Sequence, residues 1–320
     1  MIAFRDSFFE GEERDGFYIE PMMKRAWAAQ LEVFMAVDKV CRDNGLQCFA
    51  DWGTLLGAIR HRGFIPWDDD IDITMKRDDY QKFCKIAPEQ LPAGYEVINV
   101  QSCEEYANMI ARVVNGREIT LDPDWLEQFH YCPYAVGIDI EILDYKARDP
   151  EEDSLQLQLI EIVLQSVGAV DEYENGDCTF EEMQTFLAQV EELCQVKLDY
   201  DRDLRHQLYA LGDQLCMIYT KEDADELQYA VHRIVNRPNY YLPKEWYEEA
   251  IYVPFEGVAE VPVPKGYEQV LRMQFGDDYM IPVRTGTAHD YPFYREQEKI
   301  LAEFLKEHQI PGELFCIRYD

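Results

Sequence analysis

The sequence lacks three features that would place the chain outside the cytoplasm. No apolar run reaches the roughly 18 residues that a membrane-spanning helix needs, so no span is predicted. The first residues, MIAFRDSFFEGEERDG, carry acids where a signal peptide has a long apolar core, so secretion is not expected. The nine cysteines include no CxxC pair, which argues against a zinc or disulfide framework and favours reduced thiols in a cytoplasmic protein.

The chain is also short of basic residues. It has 30 Lys and Arg against 63 Asp and Glu, which gives a net charge of −33. Such a charge repels nucleic acid polymers and anionic membrane surfaces, so neither is an expected partner. A small anionic substrate is allowed if bound metal and a local basic cluster offset the charge, and residues 60–62 are the clearest such cluster. With 320 residues and 47% hydrophobic content, the chain is long and apolar enough for a large core.

Residues 51–80 hold the densest set of candidate functional residues, and they read DWGTLLGAIRHRGFIPWDDDIDITMKRDDY. The small-residue turn Gly53-Thr54 can bring backbone N–H groups close to a phosphate. Arg60 and His61 follow it and can neutralise the charge of that phosphate. These are parts of a phosphoryl or nucleotidyl transfer site.

An acid run follows, formed by Asp68, Asp69, Asp70 and Asp72. A strand over residues 69–74 would turn Asp70 and Asp72 to one face and pack the intervening isoleucine on the other. Two carboxylates on one face suit Mg²⁺, with Mn²⁺ as an alternative. A solvated acidic loop is the plain alternative. An EF-hand is rejected, because Ile73 and Asp79 stand where a calcium loop needs Gly and Glu.

The segment GTLLGAIRHRGFIPWDDDIDI closely resembles the signature of the LicD family, the phosphocholine transferase group that includes the fukutin-related proteins. The resemblance implies a nucleotidyltransferase fold, in which a turn on a helix and an acid-x-acid strand hold nucleotide and metal. It places Gly53 and Thr54 at the donor phosphates and Asp70 and Asp72 at the metal. A C-terminal segment, residues 265–279, also resembles the family.

The segment VGIDIEILD, residues 136–144, resembles the second acidic strand of the family. Asp139 and Glu141 share one face of this predicted strand, and we choose Asp139 as the third metal carboxylate. Glu141 departs from the family pattern and has the alternatives of facing solvent or pairing with Arg112. Arg112 lies in a preceding predicted strand, where it either forms a surface ion pair or, as the resemblance suggests, contacts a phosphate.

The predicted fold class is α+β, a nucleotidyltransferase-like mixed sheet flanked by helices, with a helical insertion. We divide the chain into an irregular N-terminal arm at 1–20, a catalytic core at 21–149, a helical insertion at 150–240 and a C-terminal part of the catalytic domain at 241–320. The insertion is predicted from its helical periodicity and scarcity of Gly and Pro, and it is expected to supply no metal ligand.

Three local predictions can be compared directly with the structure. A helix beginning at Pro21 is expected to end near Asn44-Gly45. A second helix beginning at Arg77 is expected to stop before Pro88. Asn115-Gly116 is a typical hairpin-turn pair.

The function that the resemblance implies is transfer of a phospho-alcohol from a CDP-activated donor to a glycan hydroxyl. Asp68 and Asp69 would then orient the metal ligands, and His289 is either a surface group or a late-contributing ligand or acid–base residue. Two alternatives stay open: a nucleotidyltransferase that moves NMP from an NTP, and a catalytically silent nucleotide- or metal-binding module. Choline is the favoured alcohol, because aromatic faces bind quaternary ammonium groups. The candidate aromatics are Trp52, Phe64, Trp67, Tyr80, Trp125, Tyr131 and Tyr134.

Overall fold

A mixed seven-stranded sheet and the helices that flank it position every candidate site residue. The computed structural model describes residues 1–284 and 292–315. The first half of the chain forms a 3₁₀ turn (Asp6–Phe9), β1 (Glu12–Arg14), β2 (Phe17–Ile19), α1 (Pro21–Asp43), β3 (Phe49–Ala50), α2 (Trp52–Arg60), β4 (Asp72–Lys76), α3 (Arg77–Gln90), β5 (Glu96–Ile98), β6 (Ala111–Val114), α4 (Pro123–Gln128) and β7 (Gly137–Lys146). The second half forms α5 (Pro150–Asn175), α6 (Phe180–Cys194), α7 (Leu204–Cys216), β8 (Glu226–Gln228), α8 (Ala230–Val235), β9 (Tyr241–Pro243), β10 (Ala250–Phe255), β11 (Ala259–Pro264), α9 (Tyr267–Phe275) and α10 (Pro292–Glu307), with 3₁₀ turns at Lys244–Tyr247 and Gly312–Phe315.

The ten-residue strand β7 is the hub of the sheet. It pairs in parallel with β4 and antiparallel with β6 and β8, and β3, β5 and β9 extend the sheet further. One parallel pair among antiparallel pairs makes the sheet mixed, as the sequence predicts, and the α+β fold class is confirmed. Because β4 and β7 run in parallel, the residues at their N-terminal ends lie at the same edge of the sheet.

Helix α1 packs against strands β6 and β7 of this sheet. Proline at its first position needs no hydrogen bond there, and the helix ends at Asn44, before a glycine in the left-handed region. Its apolar stripe includes Trp27 and Phe34, both fully buried in the main core. The predicted bounds of this helix are therefore confirmed, since capping and periodicity agree at both ends.

The three helices α5, α6 and α7 share a second hydrophobic core that includes Ile160, Met183 and Leu208. Thr179 and Glu182 form a capping box at the start of α6, as their spacing indicates. The segment after these helices differs from the predicted insertion: β8 lies within residues 150–240, yet it pairs with β7 in the sheet. A three-residue strand is too short to show a period-two pattern, so the local sequence does not predict that β8 joins the sheet.

Three further local predictions are corrected by the structure. The predicted irregular arm contains the hairpin β1–β2, whose turn residues Asp15 and Gly16 both have positive φ, at 50° and 72°. Helix α3 continues through Pro88 to Gln90, where only its last turn is affected. Asn115-Gly116 makes no tight hairpin, since α4 lies between β6 and β7. Within the described part of the chain, no helix is both long and apolar enough to cross a membrane.

Candidate active site

A buried carboxylate fixes the start of α2. Asp51 is the N-cap of this helix, and its side chain accepts a hydrogen bond from the backbone N–H of Trp52. The Tyr229 hydroxyl and the Gln274 amide also donate to it, although both lie far away in sequence. Burial, aided by the charge of Glu141, raises the pKa of Asp51 to about 6.

The predicted phosphate-binding turn forms the first turn of α2 and lies against the acid run. The Thr54 hydroxyl oxygen accepts a hydrogen bond from the backbone N–H of Asp72 at 2.9 Å, which ties the helix to β4. A side chain at Gly53 would collide with the carboxylate of Asp68. Gly53 therefore permits the close approach of helix and acid run, and Thr54 aligns the first residue of β4.

The sequence predicts a strand over residues 69–74, but in the structure Asp72 is the one residue of the acid run that lies in a strand. Strand β4 begins at Asp72, so Asp70 precedes it and the alternation argument for a shared face is wrong for Asp70. The chain instead folds so that Asp68, Asp69 and Asp70 each offer an oxygen within 4.8 Å of the others. Three carboxylates in such a group have the spacing of a cation site.

Strand register places Asp139, the third predicted metal carboxylate, beside Asp72. The parallel pairing of β4 and β7 sets Asp72 opposite Asp139. On its other side β7 pairs with β6, where Arg112 is opposite Asp139. Arg112 donates from Nε to one Asp139 oxygen at 2.6 Å and from a terminal nitrogen to the other at 3.2 Å. The ion pair considered for a strand arginine is thus present, with Asp139 as the partner instead of Glu141.

Like charges crowd around Asp72. Burial raises the pKa of the Asp72 carboxyl, and the charges of Asp70, Asp139 and Asp68 raise it further. Burial likewise raises the pKa of Asp68, together with the charges of Asp70 and Asp69. The five carboxylates consequently form one electrostatic group, and a bound cation would lower its repulsion.

Arg60 and His61, the predicted phosphate neutralisers, lie at the C-terminal end of α2. Arg60 donates to the backbone oxygen of Tyr279 at 2.9 Å. Burial lowers the pKa of Arg60, and the charges of Asp15 and Asp68 oppose this lowering. His61 Nε2 lies 3.3 Å from Asp15, and burial followed by the Arg60 charge lowers the His61 pKa. Asp15 therefore acts on both side chains, and Arg60 is in addition within range of the Asp68 charge.

Comparison with known proteins shows similarity to the LicD family. Residues 45–107 match the family model described as LicD/FKTN/FKRP, nucleotidyltransferase domain. The chain is also 26% identical over 238 residues, 72% of its length and 81% of the relative, to the lipopolysaccharide cholinephosphotransferase LicD of Haemophilus influenzae. Residues 45–107 therefore resemble the LicD nucleotidyltransferase domain, and most of the chain is similar to one LicD protein. Uncharacterised proteins of Rickettsia typhi and Rickettsia prowazekii are each 43% identical over 54 residues, 17% of this chain and 18% and 20% of their own lengths.

The candidate site also includes a pair of side chains that the sequence does not predict, Glu141 and His232. His232 Nε2 lies 3.1 Å from one carboxylate oxygen of Glu141 and 3.4 Å from the other. Glu141 stands two residues after Asp139 on β7, and its charge contributes to the raised pKa of Asp72. His232 comes from α8, in a segment with no family signature, so no sequence signal could have found it. The other histidine considered, His289, lies outside the described residues.

Among the seven candidate aromatics, Trp52 is the one that packs on His232 of the Glu141–His232 pair. Trp52 directly precedes Gly53, has a positive φ of 42°, and packs its ring 4.9 Å from His232 and 5.8 Å from Tyr240. The guanidinium of Arg237 lies 5.1 Å from the centroid of the Trp52 ring. The other six candidates lie in the core or contact other groups: Phe64, Tyr80 and Tyr134 are buried, Trp67 packs on Phe17, Trp125 on Phe129, and Tyr131 on Arg25.

Proposed function

We propose that this chain is a metal-dependent transferase that moves a phospho-alcohol, preferably phosphocholine, from a CDP-activated donor to a glycan hydroxyl. The observation that carries the proposal is the β4–β7 register, which sets Asp72 beside Asp139 next to the carboxylates of the acid run. The similarity to a lipopolysaccharide cholinephosphotransferase supports both the class of reaction and the class of acceptor.

The carboxylates Asp70, Asp72 and Asp139 fit a hard divalent cation, and we propose that they hold one or two Mg²⁺ ions, or Mn²⁺. The proposal is supported by the register of Asp72 with Asp139 and by the close spacing of the carboxylates that include Asp70. Burial, followed by the charges of Asp70 and Asp139, raises the pKa of Asp72. Arg112 binds both oxygens of Asp139, but a carboxylate has about four acceptor positions and can serve a second partner. When bound, the metal lowers the cost of the charge that develops on the transferring phosphoryl group.

The chain's own residues bind and orient the donor. The backbone at Gly53 lies in the first turn of α2, where free N–H groups and the helix dipole favour the donor phosphates. Arg60 offsets part of their charge from the far end of the same helix, and its Nε is held by His61 Nδ1 at 3.3 Å. Thr54 contributes by aligning β4 through the backbone of Asp72.

The reaction is an in-line displacement at the phosphorus next to the alcohol. An oxygen of the acceptor hydroxyl forms the new bond to this phosphorus, and the bond from phosphorus to the bridging oxygen breaks. CMP leaves with the bonding electrons. We place the reaction in the cytoplasm, because the eight cysteines in the described part of the chain are free thiols.

The choice of choline rests on the environment of Trp52. The ring of Trp52 already contacts one cation, the guanidinium of Arg237, beside the carboxylates Asp51 and Glu141. A cation over an aromatic face gains about 0.5–2 kcal/mol, so CDP-choline should bind roughly 2- to 30-fold more tightly than CDP-ribitol or CDP-glycerol. The test is a competition titration of these donors, and of CDP-ethanolamine, against the protein with Mg²⁺.

Replacing Trp52 by Leu should remove the preference for choline, whereas the same change at Trp125, which packs on Phe129, should retain it. Tighter binding of CDP-ribitol, or affinity that is indifferent to the head group, would overturn the choice of choline and leave the CDP-dependent transferase standing. Failure of every CDP-alcohol to bind with Mg²⁺ would contradict the proposed function itself.

A further inference from the structure

A cavity of about 230 Å³ lies between the sheet and the three-helix cluster. Its wall includes Glu141 and His232 on one side and Asn108, Leu164 and Tyr209 on the other. Such a volume has room for one sugar ring. Aromatic faces and an amide are also the groups that bind sugars through stacking and hydrogen bonds. The cavity therefore places a space of the size of a sugar ring beside Glu141 and His232.

The Glu141–His232 pair leaves one ring nitrogen available at this cavity. Nε2 of His232 is the nitrogen in contact with Glu141, so a neutral ring donates its N–H there and keeps Nδ1 as an acceptor. Among residues 1–284 and 292–315, no group forms a hydrogen bond with Nδ1 of His232. A histidine held by a carboxylate at one nitrogen has the arrangement of a general base at the other.

Two contacts connect His232 to the proposed donor site. Its ring packs on Trp52, which precedes Gly53 at the start of α2. Its partner Glu141 lies on β7 two residues beyond Asp139, on the same face of the strand. The imidazole thus contacts Trp52, which precedes the proposed donor-binding turn, and Glu141, which shares a strand face with Asp139.

We propose that this cavity receives the sugar unit of the acceptor and that His232, held by Glu141, takes the proton of the attacking hydroxyl. The inference rests on the proposed function. The lone pair of the hydroxyl oxygen forms the bond to phosphorus, the bond from phosphorus to the bridging oxygen breaks, and its electrons leave with CMP. The hydroxyl proton moves to Nδ1 of His232.

The experiment compares His232→Gln with the wild-type protein. Glutamine can keep the hydrogen bond to Glu141 but has no group at the place of Nδ1. CMP release from CDP-choline is measured with Mg²⁺, using water and a methyl glycoside as acceptors. We expect kcat to fall by about 10²–10⁴-fold, with the Kd of the donor unchanged. His232→Ala should lose as much, and added imidazole should restore part of its activity.

The matched control is His130→Gln. His130 Nε2 lies 2.8 Å from Glu32, so the same kind of pair is changed away from the cavity, and kcat should stay at the wild-type value. Wild-type kcat in His232→Gln would overturn the role of His232. The role of His232 would also be overturned if imidazole failed to restore the kcat of His232→Ala and if the donor bound this variant more weakly by the same factor. No CMP release by the wild-type protein from any CDP-alcohol would instead overturn the proposed function, and the inference with it.

Discussion

Replacing Asp72 by Asn should abolish most turnover and leave the fold intact. Asp72 is the carboxylate at the centre of the proposed metal site, with Asp139 opposite it in register and Asp70 close enough to raise its pKa. Losing this ligand should cost several kcal/mol of transition-state stabilisation, or about 10²–10⁴-fold in kcat. Measurement of CMP release with Mg²⁺ gives the change in kcat.

The same substitution should not lower the stability of the metal-free protein. A carboxyl whose folded pKa is raised costs stability once the pH exceeds its unfolded pKa, so removing its charge should raise or preserve the thermal midpoint at neutral pH. Asp149→Asn is the control, because asparagine can replace aspartate as the N-cap of α5. Wild-type turnover in Asp72→Asn would show that Asp72 is not a metal ligand.

Replacing Arg77 by Met should cause the largest loss of stability. Arg77 begins α3 and is buried between Asp144 on β7 and Asp213 on α7, with contacts of 2.6, 3.0 and 2.7 Å. It therefore joins the sheet to the helical cluster. Its removal leaves two buried carboxylates without their cation, which should lower the free energy of unfolding by about 3–5 kcal/mol. Urea unfolding measures this change.

The effect of Arg77→Met should depend on pH. Burial already raises the pKa of Asp144 to about 6 despite its contact with Arg77, well above the roughly 3.9 of an unfolded aspartate. Without Arg77 the pKa should rise further, so the loss of stability should be smaller at pH 5, where the buried acids take up protons, than at pH 8. Arg148→Met, which removes an exposed pair with Asp225, should cost no more than about 1 kcal/mol. Equal losses in the two variants would contradict this account of Arg77.

Local rules predict the elements whose signals lie within a few residues. The bounds of α1 follow from Pro21 and Gly45, and β7 follows from its alternating isoleucines. The hairpin β1–β2 also has a local signal, because Asp15-Gly16 is a typical turn pair. By contrast, β8 is three residues long and is held in the sheet by β7, far away in sequence. Its place is set by tertiary pairing.

The candidate site likewise contains residues that the sequence predicts and residues that only tertiary pairing brings together. The acid run was found because its residues are consecutive, and the resemblance to LicD proteins pointed to Asp139. The start of β4 at Asp72 could not be read from the sequence, because three adjacent aspartates give no period. The pairing of Arg112 with Asp139 and of His232 with Glu141 depends on strand register and on the folding of residues 150–240 against the sheet. Such contacts leave no local pattern.

The most direct test of the central claim is phosphorus NMR of the wild-type protein with Mg²⁺, CDP-choline and ATP in one mixture with a methyl glycoside. If Asp70, Asp72 and Asp139 form a phospho-alcohol transfer site, CDP-choline should be consumed, CMP should appear with a new phosphodiester signal, and ATP should stay intact. Release of pyrophosphate from ATP with CDP-choline unchanged would instead show NMP transfer and contradict the account. Unchanged spectra for both compounds would contradict it equally, as expected of a catalytically silent module.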